Sequence, residues 1–227
     1  MGTVLLTGAN RGLGLGLARA FAGDGWSVIA VVRNLSPELE SLARDGVEIQ
    51  RLDLCDDDEL SALPARLNER RVDVLINNAG RMARPGHQGL GEFDRALWHA
   101  VFDINLFTPM RLAELLLPNL ERSERPRIVN LSSMLGSMEL NDHGGLYAYR
   151  ASKAGVNAIT KSLALDLEER GIIAVALHPG WVRTDMGGAK ADLDIETSVR
   201  GMQRVIENLG PGDSGKLIAW DGRELPW

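Results

Sequence analysis

Seven short apolar runs punctuate the 227-residue chain, and a segment with apolar residues at three- and four-residue spacing lies between each consecutive pair. The runs fall at residues 3–7, 27–33, 47–52, 72–77, 127–131, 172–178 and 216–220. They are nearly continuous rather than alternating, as expected of strands covered on both faces. The intervening segments, 13–22, 37–44, 59–69, 95–120, 149–170 and 195–208, read as helices, with Gly25, Gly46 and Gly171 as stop signals. Strand and helix alternating in this way, joined by right-handed crossovers, predict an α/β protein with a doubly wound parallel sheet. Ligands of such a sheet bind beyond the carboxyl ends of its strands.

Composition narrows the range of partners. With 44% hydrophobic and 25% charged residues, residues 1–227 balance as one globular domain without an internal repeat. Twenty-five Lys plus Arg against 31 Asp plus Glu give a net charge of −6 with no concentrated basic run, so neither a nucleic-acid nor a membrane-surface partner is expected. Apolar stretches such as Leu115-Leu116-Leu117 fall far short of the roughly 18 residues a membrane span requires, and no signal segment precedes them. A soluble, cytoplasmic protein is the expectation. Cys55 is the sole cysteine, and His87, His99, His143 and His178 are scattered, so no metal site is expected.

The end of the first run carries Thr7-Gly8-Ala9-Asn10-Arg11-Gly12-Leu13-Gly14. Glycines there let a backbone approach a pyrophosphate lying on a helix N-terminus, the mark of a dinucleotide-binding Rossmann fold. The spacing departs from G-x-G-x-x-G, because three residues separate Gly8 from Gly12 and one separates Gly12 from Gly14. A tight strand-to-helix connection would also use such a turn. The second run ends Val31-Val32-Arg33-Asn34, without the carboxylate that commonly binds the ribose 2′-hydroxyl of NAD. Arg33, helped by Arg11, has the planar fork suited to a 2′-phosphate, so NADP(H) is preferred over NAD(H); an exposed helix-end charge is the other reading of either arginine.

Further segments follow in order: Asn77-Asn78-Ala79-Gly80, Asn130-Leu131-Ser132-Ser133, Tyr149-Arg150-Ala151-Ser152-Lys153 and Pro179-Gly180-Trp181-Val182-Arg183-Thr184. With the glycine turn and Asn105 they make a chain that resembles the short-chain dehydrogenase/reductase family in its single-domain branch, over almost its whole length. Gly144-Gly145-Leu146-Tyr147-Ala148-Tyr149, the stretch from His178 to Gly188 and the final Asp221-Gly222-Arg223-Glu224-Leu225-Pro226-Trp227 resemble most the sniffer-type carbonyl reductases and the C-factor group.

The resemblance implies an NADPH-dependent reductase of a ketone or aldehyde, with Tyr149 as proton donor and Asn105, Ser133 and Lys153 as the other catalytic residues. A C-factor-like nucleotide-binding regulatory or signalling protein is the alternative. Four residues apart on a helix, Tyr149 and Lys153 project from one face, about 6 Å apart along the axis. A tyrosine near pKa ~10 needs about 4 kcal/mol to become an available phenolate near neutrality, which solvated attraction does not supply, so a closed and partly dry site is required. An ordinary amphipathic helix with a surface lysine is the bland reading of the pair.

Strand alternation lets only one of Ser132 and Ser133 point into the site, and the resemblance favours Ser133. Asn105 matches the asparagine that holds a water in a proton relay, or it simply kinks its helix. Nucleotide binding is expected from Gly8, Asn10, Arg11, Gly12, Leu13, Gly14, Arg33, Asp53, Leu54, Asn77, Ala79, Gly80, Tyr149, Lys153, Pro179, Gly180, Val182 and Thr184. Asp53 and Leu54 would contact adenine and Thr184 the nicotinamide carboxamide. Residues 181–195, with Trp181 and Met186, form the expected substrate-side lid. The sixteen residues from Ser133 to Tyr149 exceed the family's usual interval, which implies a longer loop through Asn141-Asp142-His143-Gly144-Gly145 beside the substrate. The helices at 95–120 and 149–170 are expected to pair across a two-fold axis in a homodimer, or as part of a tetramer.

Overall fold

The computed structural model describes residues 2–83 and 86–227. Eight strands form one sheet: β1 (Thr3–Thr7), β2 (Ser27–Val32), β3 (Glu48–Arg51), β4 (Val74–Asn77), β5 (Arg127–Leu131), β6 (Ile173–His178), β7 (Leu217–Ala219) and β8 (Glu224–Leu225). Their order is β3-β2-β1-β4-β5-β6-β7-β8, and every neighbouring pair except β7–β8 is parallel. The expected doubly wound architecture is present, and the direction of winding reverses between β1 and β4, which opens a crevice beyond the strand ends. The two-residue β8 was not foreseen, since its Glu224 and Leu225 form too short a run to carry a periodicity.

Buried strands alternate their side chains between two apolar layers. Val4, Leu6, Val28 and Ala30 face Leu17 and Phe21 of α1 (Gly12–Gly23), Leu39 of α2 (Pro37–Arg44), and Met202 and Ile206 of α8 (Ile195–Asn208). Leu5, Ile29 and Val31 face the opposite layer, with Leu60 of α3 (Asp57–Ser61), Leu63 of α4 (Leu63–Leu67), Leu112 and Leu116 of α6 (Thr108–Leu120), and Leu163 of α7 (Tyr147–Asp166). Each fully buried leucine contributes about 1.5–3 kcal/mol, enough for the two layers to hold the sheet flat against its helices and to fix the strand ends.

Three helical expectations are corrected. The segment 59–69 is two short helices, α3 and α4, because Pro64 opens the second and cannot continue the first. The segment 95–120 is α5 (Arg95–Phe102) and α6 joined by a π-helical turn, Asp103–Phe107, centred on Asn105. The helix expected at 149–170 begins two residues earlier, at Tyr147, and stops at Asp166, with a separate 3-10 turn at Glu168–Arg170. Gly144, Gly145 and Leu146 precede α7 in the left-handed region, at φ 63°, 67° and 50°. No helix among the described residues is long and apolar enough to cross a membrane.

Candidate active site

A cleft of about 1120 Å3 opens at the switch point between β1 and β4. The glycine turn forms its floor. Gly8 sits at φ +70°, and a Cβ on Gly14 would lie 2.2 Å from the Gly8 carbonyl oxygen, so the first turn of α1 admits no side chain there. Arg11 precedes α1 in an extended conformation without a side-chain cap, leaving the helix's leading N–H groups for a ligand. Asn10 holds the neighbouring wall by accepting a hydrogen bond at its carbonyl from Ser36 Oγ (2.7 Å), and Leu13 turns inward against the core.

The end of β4 is tied to this turn. Thr7 Oγ1 accepts from the backbone N–H groups of Asn78 and Ala79 (both 3.0 Å), and Asn78 Nδ2 donates to the carbonyls of Thr7 (2.8 Å) and Gly8 (3.2 Å). Asn78 was not singled out from sequence, yet its side chain meets the turn. The side chain of Asn77 points the other way and donates to Asn130 Oδ1 at 2.7 Å in the buried interior. Strand alternation was the available signal. Ala79 and Gly80 line the cleft, as do Pro179 and Thr184, while Val182 is buried.

Arg33 and Asp53 close one end. Arg33 is 68% exposed and donates to Asp53 at 3.2 Å; Arg11 is 74% exposed and donates to Asp185 at 2.7 Å. Exposed pairs of this kind are worth about 0–1 kcal/mol, so neither guanidinium is committed to its carboxylate. Leu54 accepts at its carbonyl from Thr108 Oγ1 (3.0 Å), which fixes the loop after β3 on α6. Burial, then the nearby Asp53 and Asp103 carboxylates, push the Cys55 thiol up, away from a reactive thiolate.

At the other end Tyr149 and Lys153 lie on the first turns of α7, both buried. Lys153 Nζ donates to the Leu131 carbonyl at 2.6 Å and stands 5.7 Å from the centre of the Tyr149 ring. Burial pushes the Tyr149 phenol up to about 12, with a hydrogen bond to Ser133 acting in the opposite direction. Burial likewise brings the Lys153 ammonium down to about 8. Ser133 stands beside Tyr149, hydrogen-bonded to its phenol, and its hydroxyl also accepts from the Leu135 N–H at 3.1 Å. Ser132, which also lines the cleft, donates to Asn157 Oδ1 at 2.5 Å.

The Asn105 amide is engaged on both sides: Oδ1 accepts from Arg81 N (2.9 Å), and Nδ2 donates to Arg81 O (2.9 Å) and Ser152 Oγ (3.0 Å). Its backbone carbonyl has a different environment. It lies in the π-helical turn Asp103–Phe107, and residue 109, four positions later, is proline without an N–H.

The loop between Ser133 and Tyr149 folds back on α7 through His143, whose Nε2 lies 3.0 Å from an amino group of buried Arg150 and whose Nδ1 lies 2.5 Å from Asp142. Residues 181–195 leave β6 past Gly180 and return to α8, pinned by Arg183 N to Leu193 O (2.8 Å) and Leu193 N to Trp181 O (3.0 Å). Trp181 and Met186 are exposed on this loop, and Thr184 Oγ1 accepts from Gly187 N at 3.1 Å. Trp220 and Trp227 are half-buried at the far end of the sheet. No cluster of three metal-ligating side chains occurs among the described residues.

The family model described as short chain dehydrogenase matches residues 2–194. The C-signal protein of Myxococcus xanthus is 45% identical over 156 residues, covering 69% of this chain and 93% of its own. The carbonyl reductase Sniffer of D. melanogaster superposes with a TM-score of 0.94 at 36% identity, covering 100% of both chains. The NADPH-bound carbonyl reductase from chicken fatty liver superposes with a TM-score of 0.91 at 33% identity, covering 99% of this chain and 98% of its own.

Proposed function

The chain belongs to the short-chain dehydrogenase family and is an oxidoreductase, and on that premise we propose that it reduces a ketone or aldehyde with NADPH. The observation that carries this reading is the buried Tyr149 phenol between Ser133 and Lys153 at one end of a cleft whose other end is the glycine turn closed to a side chain at Gly14. The turn fits a pyrophosphate, because Gly14 leaves the N-terminus of α1 open to an anion. When bound, the reduced nicotinamide would supply the hydride and, once oxidised, a positive charge.

The protein's own groups handle the oxygen. Ser133, which hydrogen-bonds Tyr149, would donate its hydroxyl hydrogen to the substrate carbonyl and hold it against Tyr149, which gives up the phenolic proton as the alcohol forms. With the phenol pushed up to about 12, Tyr149 is protonated at neutral pH, the form reduction needs. The reverse oxidation requires the phenolate, so its rate rises with pH. Lys153, kept dry and aimed by Leu131, favours the phenolate once it forms; Asn105, in the π-helical turn beside it, is assigned to holding a water for reprotonation.

NADPH over NADH is supported by Arg33 and Arg11, whose weak surface pairs a phosphate dianion can displace, and by the absence of a carboxylate at 31–34. The likeness to a carbonyl reductase crystallised with NADPH agrees. The remaining cleft residues, Asp53 and Leu54 at the adenine and Thr184 at the nicotinamide, are assigned with it. A homodimer is supported by Leu106, Phe107, Met110 and Ile159, which leave an apolar groove of about 450 Å3 along α6 and α7.

Tyr149→Phe tests the reading: NADPH oxidation across a panel of aldehydes, diketones, quinones and steroids should fall to background while nucleotide affinity is kept. Near-normal turnover would reject Tyr149 as donor. The likeness to C-signal favours a second reading, a regulatory role resting on nucleotide binding alone. On that reading Ser133→Ala and Tyr149→Phe would leave cellular function intact.

A further inference from the structure

The last residues of the sequence take no part in the chemistry above, yet they meet the segment that follows Ser133. Two residues beyond the edge strand, the Trp227 carbonyl oxygen accepts from Ser137 Oγ (2.9 Å), Met138 N (2.9 Å) and Glu139 N (3.2 Å). Ser137 is buried, and its hydroxyl also accepts from Leu140 N at 3.1 Å, so three consecutive residues meet one oxygen and a fourth is tied to it through Ser137. These contacts join positions some ninety residues apart in the chain. On the sheet they join the loop after β5 to the tail after β8, three strands away.

We propose that residues 225–227 are a strap whose Trp227 carbonyl positions the substrate-side wall between Ser133 and Tyr149. Between Ser133 and Ser137 lies only the 3-10 turn Met134–Gly136, and that turn is itself fixed at one side: a Cβ on Gly136 would lie 2.7 Å from the Lys153 backbone, and Asn157 Nδ2 donates to Gly136 O at 3.3 Å. The strap fixes the other side. It is rooted in the sheet through the β7–β8 pairs Leu217–Leu225 and Ile218–Glu224, so the wall inherits the rigidity of the sheet. The wall carries Met134 and Met138 with their side chains exposed, and the long loop through His143 hangs from its far end. Loosening the strap therefore blurs the substrate's seat while leaving the glycine turn after β1 and the ends of β2 and β4, where the nucleotide's phosphates would lie, in place.

The strap's effect on turnover rests on the reductase reading, whereas its effect on the wall does not. Hydrogen exchange of the Met138 and Glu139 amides is the primary measurement, on three variants: the chain stopped after Glu224, Ser137→Ala, and Trp227→Ala, which keeps the carbonyl. Exchange at both amides should rise about tenfold or more in the shortened chain and less in Ser137→Ala, and stay within about twofold of wild type in Trp227→Ala. In the first two, the KM of the best carbonyl substrate should rise severalfold while kcat and nucleotide affinity hold. Unchanged exchange in the shortened chain, or an equal loss in Trp227→Ala, overturns the carbonyl's role; so does weakened nucleotide binding in step with KM in Ser137→Ala. Should the shortened chain fail to melt cooperatively, Ser137→Ala decides alone: exchange at Met138 and Glu139 no faster than wild type overturns the strap. A wild type that turns over no carbonyl would reject the reductase reading and leave the exchange result to judge the strap.

Discussion

Replacing Lys153 by Met should abolish turnover while leaving the fold as stable as wild type or more so. Burial takes the ammonium from 10.5 to about 8, and at about 1.4 kcal/mol per pKa unit the folded chain carries a penalty of about 3 kcal/mol at pH 7. Methionine fills a similar volume without the charge. Against that relief, the Leu131 carbonyl loses the donor now 2.6 Å away, and a buried carbonyl without a partner costs about 1–3 kcal/mol. The two nearly offset, so the variant should match wild type at pH 7 or exceed it by up to about 2 kcal/mol. The pH dependence is sharper. With its folded pKa depressed, Lys153 binds fewer protons folded than unfolded between pH 8 and 10.5, so wild-type stability rises through that window and the variant's does not. Tyr149 is present in both chains and cancels. Urea denaturation at pH 7 and pH 10 should show wild type gaining about 2–3 kcal/mol on the variant. A variant more than about 2 kcal/mol less stable at pH 7, or a difference that ignores pH, would refute the burial argument.

Other consequences are as direct. Gly14→Ala places a Cβ 2.2 Å from Gly8 O, so nucleotide binding should vanish and stability fall by about 1–3 kcal/mol or more, read by titration and thermal melting. Arg33→Ala should weaken NADPH about tenfold to a hundredfold and leave NADH little changed; equal losses by calorimetric titration would reject the phosphate role. Sedimentation should find a species of twice the 24.7 kDa chain, and Phe107→Glu should shift it to the monomer.

The sheet was legible because buried parallel strands are written as unbroken apolar runs, and the seven longest strands lie within the boundaries that the runs mark. Helix interruptions were less so. Pro64 announces its break, whereas the π-helical turn around Asn105 keeps the apolar spacing of an ordinary helix, and only Pro109 hints at it. At the site, Ser133, Tyr149 and Lys153 could be read from local spacing, since one strand end and one helix face present them. Contacts made across the fold could not: nothing near Arg33 foretells Asp53, nothing near Arg11 foretells Asp185, and no local pattern links Ser137 to Trp227.

The early start of α7 bears on the acid itself. After three successive left-handed residues the helix begins at Tyr147, and Leu146 offers no side-chain cap. Tyr149 is thus the third residue of a 20-residue helix, and its Cβ leans back toward the end where the peptide dipoles converge as partial positive charge. That field favours a phenolate by about 0.3–1 kcal/mol, and it is present whether or not anything occupies the cleft. A tyrosine one turn further along would forfeit it. The backbone therefore supplies a permanent but small bias toward ionisation, and the larger share must come from charges brought within a few ångströms of the oxygen.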